Sequence, residues 1–155
     1  MNVMVANQEH LEAILALRRL LWPDCLEEEH QQELGAMLNG KHPMVPEWPA
    51  VVMVSESDSG VVGYMEATLR PFVDGCREGP VGFIEGWYIL DEHRESSSFE
   101  LLLNGITLWT KANGGRELMC DVPTEEAELL AQHEASGFEK VQRMVMISKP
   151  LSSDS

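Results

Sequence analysis

Apolar positions recur along the chain in two rhythms, and the rhythm changes mark its elements. Met1–Ala6 is a short apolar run that predicts a strand. From Gln8 to Trp22 the apolar residues fall at 11, 14, 15, 17, 20 and 21, a helical spacing, and Pro23 ends it. Glu27–Leu38 predicts a second helix stopped by Asn39-Gly40, before a loop carrying Pro43, Pro46 and Pro49. Ala50–Ser55 and Val61–Leu69 predict strands joined by a turn at Ser59-Gly60, and Val81–Leu90 a third after the connector Pro71–Pro80. Phe99–Ala112 predicts a helix, Glu117–Val122 a strand, Thr124–Ala135 a helix and Phe138–Ser148 a last strand. This β-α-α-β-β-β-α-β-α-β order predicts an α/β fold with a mixed central sheet flanked by helices. One domain is expected over residues 1–149, with a flexible tail at 150–155.

Charge narrows the partners. The 155 residues hold 26 acidic and 11 basic side chains, a formal net charge of −15. Such a field repels nucleic-acid phosphates and concentrates cations, so a cationic small molecule is expected and a nucleic acid is not. Solubility alone is the plainer account of the same charge. No apolar run is long enough to span a bilayer, and no basic, then apolar, leader opens the sequence. Cys25, Cys76 and Cys120 are odd in number and far apart, which fits a reducing cytoplasm and gives neither a disulfide framework nor a metal-ligand spacing.

Three carboxylates stand where burial is costly. Glu66 and Glu85 interrupt apolar strands, Glu85 beside Gly86, and Asp121 falls at a strand's C-terminal end, where α/β sheets place ligands. Converging on one cleft, they would bind ammonium groups by charge-assisted hydrogen bonds. Pairing with Arg70 or Arg94 is the structural alternative for the two glutamates.

Leu20-Leu21-Trp22-Pro23-Asp24, Glu66-Ala67-Thr68-Leu69-Arg70, Phe83-Ile84-Glu85-Gly86, Cys120-Asp121 and His133-Glu134-Ala135-Ser136-Gly137-Phe138 together resemble the GCN5-related N-acetyltransferase superfamily. Within it, the chain is similar to the short aminoglycoside 6′-N-acetyltransferases over nearly its whole length. The resemblance implies that acidic residues hold the drug's amino groups, with Glu66, Glu85 and Asp121 as binding residues. Glu85 or Asp121 would relay the proton from the attacked amine. Trp22 and Asp24 would flank the cleft, and Glu27, Glu28 and Glu29 would extend its acidic wall; a plain core or rim tryptophan and a solvated helix start are the plainer accounts. His133 stands where many relatives carry a tyrosine acid, so it is either an acid for the leaving thiolate or a packed helix histidine. A homodimer is also implied.

The resemblance fails at one loop. Relatives cradle the acetyl-CoA pyrophosphate with a [QR]-x-x-G-x-[GA] string before a helix. Here the string is Arg94-Glu95-Ser96-Ser97-Ser98-Phe99. Arg94 remains, and Ser96, Ser97 and Ser98 stand in as cofactor-binding candidates. Ser97 replaces the glycine, Phe99 replaces a small residue, and Glu95 sets a carboxylate near the phosphates, costing roughly 3 kcal/mol at an effective dielectric near 20. Glu126 and Leu129 replace the asparagine and serine that relatives place near the CoA arm. The leading expectation is therefore an aminoglycoside binder that has lost its acetyl-CoA and acts by sequestration or sensing. The alternative is an active 6′-N-acetyltransferase that uses acetyl-CoA through an atypical loop. A protein-interaction module on the same fold stands third.

Overall fold

A computed structural model describes residues 1–152. The chain divides by its internal contacts into two compact units, Met1–Asp121 and Val122–Ser155. The first unit holds a five-stranded sheet in the order β1-β2-β3-β4-β5, formed by Asn2–Val5, Ala50–Ser57, Gly60–Arg70, Val81–Ile89 and Glu117–Cys120. The first four strands pair antiparallel, and β5 runs parallel to β4. This parallel step needs a crossover, and α3 (Ser98–Ala112) makes it.

Period-two patterning sorts the strands between helices. Val52, Val54 and Tyr64 turn to one face and join Ile14, Leu15, Leu17, Leu34 and Met37 in a buried cluster. Those partners come from α1 (Leu11–Leu21) and α2 (Glu27–Leu38). On the other face a Cβ at Gly105 of α3 would meet Met53, and one at Gly63 would meet Ser98. Ser55 and Ser98 share a buried hydroxyl hydrogen bond of 2.6 Å there. Helix α1 is entered through a capping box: Asn7 Oδ1 accepts the Glu9 N–H at 2.8 Å, and His10 Nδ1 accepts the Asn7 N–H at 3.0 Å.

The register of β3 on β4 slips once. Glu66 lies opposite Gly86, but Ala67 lies opposite Ile84, so Glu85 is an extra residue in β4. Such a bulge breaks the alternation and turns two successive side chains to one face. Ile84 is buried within the sheet, while Glu85 and the position of a Gly86 Cβ both face the α1 side.

The second unit holds α4 (Ala127–Ala135), closed by Gly137 at φ 98°, a left-handed cap that suits glycine. The strand expected over Phe138–Ser148 does not form: residues 138–152 have neither helix nor strand. Its apolar run Met144–Ile147 finds no ladder, and Val145, Met146 and Ile147 stand exposed. Positions 153–155 of the expected tail lie outside the described residues. No helix among the described residues is long and apolar enough to cross a membrane.

Candidate functional site

A cavity of about 580 Å³ opens in the first unit, walled by the end of α1, by α2, by the loop before β2 and by the bulged part of the sheet. Trp22, Asp24, Glu66 and Glu85 all line it. Four of the residues singled out by sequence thus meet in one place.

Glu85 is held from one side. Thr68 Oγ1 donates to its Oε1 at 2.7 Å, and Arg70 Nη2 donates to the same oxygen at 2.5 Å. Oε2 has no protein partner among the described residues. Arg70 is in turn fixed by two rings: its Cζ lies 4.4 Å from the Phe83 centroid and 5.4 Å from that of Trp48. Of the two pairings open from sequence, Glu85 makes the one with Arg70.

Glu66 is spent differently. Both its oxygens accept from Nη1 of Arg18, at 2.7 and 2.8 Å, and the two side chains are almost wholly buried. Arg18 also donates through Nε to His30 Nδ1 at 3.3 Å and through Nη2 to Glu33. Its Cζ sits 4.8 Å from the Trp22 ring centroid. Burial pushes the Glu66 carboxyl up to about 7, against the pull of Arg18. Arg18 was not anticipated. Its signal was its place four residues after Ile14 on the buried stripe of an amphipathic helix, where a cation needs an anion.

The remaining acids differ in setting. Glu27 accepts from Arg19 Nε at 2.9 Å on the surface, and this bond holds its carboxyl down to about 2. Glu28 is exposed on the first turn of α2. Asp121 is exposed one residue past β5. Ile84 pairs with Cys120 across the parallel ladder, so Glu85 and Asp121 follow at one level, but Asp121 is not among the residues that line the cavity. Burial first, then Asp121 and Glu85, push the Cys120 thiol up to about 12. His133 belongs to the second unit, where its Nδ1 lies 2.8 Å from the Leu129 carbonyl oxygen and its ring stands edge-on to Phe138 at 5.4 Å.

At the start of α3, Ser96 and Ser97 are exposed and small, and Ser98 is buried. Arg94 Nε lies 3.2 Å from the Ile89 carbonyl oxygen and 3.0 Å from Asp91 Oδ1. Phe99 points inward: it is buried, with its ring 4.8 Å from that of Trp87. The steric block expected from Phe99 at the loop is therefore absent, because its side chain fills the core beneath the helix. Glu95 is exposed on the loop, as the charge argument requires.

A mixed sheet with a bulge on its fourth strand and a parallel fifth strand is the fold of the GCN5-related N-acetyltransferase superfamily. In fold the chain matches the AAC(6')-Iy enzyme solved with the bisubstrate analogue CoA-S-monomethyl-acetylneamine, with a TM-score of 0.86 and 26% identity over 97% of this chain and 98% of that one. No family-level sequence profile matches. Curated relatives do: an aminoglycoside N(6')-acetyltransferase type 1 of Stenotrophomonas maltophilia is 35% identical over 136 residues, 87% of this chain and 84% of that enzyme. The Acinetobacter haemolyticus enzyme of the same name is 31% identical over 152 residues, 97% of this chain and 99% of its own. The chain belongs to the aminoglycoside N(6')-acetyltransferase family.

Proposed function

We propose that this protein is an aminoglycoside 6′-N-acetyltransferase that takes its acetyl group from acetyl-CoA. The observation that carries the reading is Glu85 at the bulge. Its Oε1 is fixed by Thr68 and Arg70, which leaves Oε2 for a ligand ammonium or for the proton such an amine must lose before it attacks. Trp22 and Asp24 bound the same space, and the acidic field draws a polycation toward it. Glu66 supports the wall through Arg18 rather than touching the ligand. Asp121, level with Glu85, is the second carboxylate for the ligand's amines.

The start of α3 is where a CoA pyrophosphate would bind. It is a 15-residue helix whose approach is lined by exposed Ser96 and Ser97, with Arg94 three residues before Ser97 and with Phe99 turned away. Bound acetyl-CoA would supply the acetyl thioester; this chain's residues would hold and deprotonate the amine. His133, with its ring already engaged along α4 and against Phe138, enters this reading as a packing residue. A specific observation favours a second reading, a drug binder without turnover: the exposed Glu95 on the loop. Mass spectrometry of neamine incubated with protein and acetyl-CoA separates the two. A monoacetylated product supports the enzyme, and unchanged neamine at stoichiometric protein leaves the binder.

A further inference from the structure

One imidazole fastens a wall of the cavity. His42 Nδ1 lies 3.0 Å from the Met44 amide nitrogen and 3.1 Å from that of Val45. A ring nitrogen facing two N–H donors carries the lone pair, so the ring's hydrogen sits on Nε2. Nε2 lies 4.0 Å from Glu85 Oε1. The segment closes on itself: the His42 N–H donates to the Trp48 carbonyl at 3.0 Å, and the Trp48 N–H to the Val45 carbonyl at 2.9 Å. The His42 ring stands edge-on to Trp48 at 5.1 Å, and Trp48 carries Arg70, which grips Glu85. Pro43 and Met44, inside this closure, line the cavity.

We propose that His42 is a positioning residue for the cationic ligand: as a neutral imidazole with Nδ1 accepting, it holds the Pro43–Met44 wall and turns Nε2–H toward Glu85, and a proton on Nδ1 releases that wall. The ligand's identity rests on the functional reading above; the clasp itself rests on geometry. Glu85 of β4 and Glu33 of α2 favour the proton, and Arg70 of β3 opposes it. Burial is the largest influence and opposes it too, holding the imidazole below its ordinary value. The clasp is thus intact at neutral pH, and its contribution is lost as pH falls through the folded-state value.

Two substitutions isolate the role. Asparagine at 42 places an oxygen within reach of an N–H two residues on and does not titrate; leucine offers no acceptor. Calorimetry with neamine is run from pH 5 to 8 at fixed ionic strength on the wild type, His42→Asn and His42→Leu. Below the His42 transition, wild-type affinity should fall relative to His42→Asn by up to about tenfold per pH unit, the slope of one linked proton. His42→Leu should bind about tenfold more weakly throughout, the equivalent of one lost hydrogen-bonded clasp. The ligand's own amines titrate alike in all three. In ligand-free protein, imidazole 15N shifts at neutral pH should show Nδ1 unprotonated. The Met44 and Val45 amides should be protected from exchange in the wild type and His42→Asn, and exposed in His42→Leu. Parallel wild-type and His42→Asn pH profiles, a protonated Nδ1, or equal amide exchange in all three proteins would overturn the proposal. If neamine binds to none of them, the ligand assignment fails, and the shift and exchange data still decide the clasp.

Discussion

Trp22 lies across Gly86 so closely that a side chain there has no room: a Cβ on Gly86 would fall 2.5 and 2.6 Å from two carbons of the indole. The glycine after Glu85 is therefore a packing requirement of the cavity. The same bulge that presents Glu85 turns residue 86 toward the tryptophan, and only hydrogen fits between them.

Gly86→Ala should push the indole out of the cavity wall while the sheet persists. The overpacking cost is about 1–3 kcal/mol, seen as a lowered urea midpoint. Neamine affinity should fall about tenfold or more, read by calorimetry. Unchanged affinity would mean that Trp22 does not shape the ligand site.

The Arg18–Glu66 pair should behave as buried ionic architecture. Arg18→Met strands two carboxylates and should cost about 3–5 kcal/mol, whereas the double variant Arg18→Met/Glu66→Leu should recover much of it. The pH dependence has a definite sign. The folded value of Glu66, about 7, lies above the ordinary carboxylate range, so its contribution is full in acid and is lost as pH rises toward 7. Denaturation from pH 5 to 8 should show the wild type losing stability relative to Glu66→Gln across that window. The opposite trend would show that Arg18 outweighs burial.

If the loop before α3 takes CoA phosphates as proposed, Glu95 weakens that binding. Glu95→Lys should tighten CoA binding about three- to tenfold at low salt, less at high salt, because the site is exposed and screened. A change in neamine affinity instead of CoA affinity would place Glu95 with the wrong ligand.

His133→Phe tests whether that ring is an acid or a packing group. Turnover within about threefold of wild type fits packing, while a loss of about a hundredfold or more, the usual scale of a removed general acid, would make it catalytic.

How much of this was legible in the sequence depended on range. Most elements were legible because each is a local pattern, and Phe83-Ile84-Glu85-Gly86 stood out because an acid and a glycine both interrupt an apolar strand, but the bulge itself shows only in the register of β3 on β4. The signal at Arg18 was ambiguous: its anion, Glu66, is 48 positions away, and adjacent Arg19, four residues after Leu15, follows the same stripe yet sits at the surface with Glu27. His42 was hidden because its partners are backbone amides, which no side-chain pattern reports. Phe99 misled because a residue's place in a loop motif does not fix which way its side chain turns. Residues 144–147 form a short apolar run, which reads as a strand on paper but does not supply a neighbouring strand to pair with.

In the proposed reaction Glu85 deprotonates and orients an aminoglycoside amine for acetyl transfer. The most direct test of that role is thiol release from acetyl-CoA with neamine, wild type against Glu85→Gln, each first shown to bind the drug. Wild-type turnover and a fall in kcat of about 10²-fold or more in Glu85→Gln are expected. Drug binding by the wild type with no thiol release, or equal turnover in both proteins, would contradict that role.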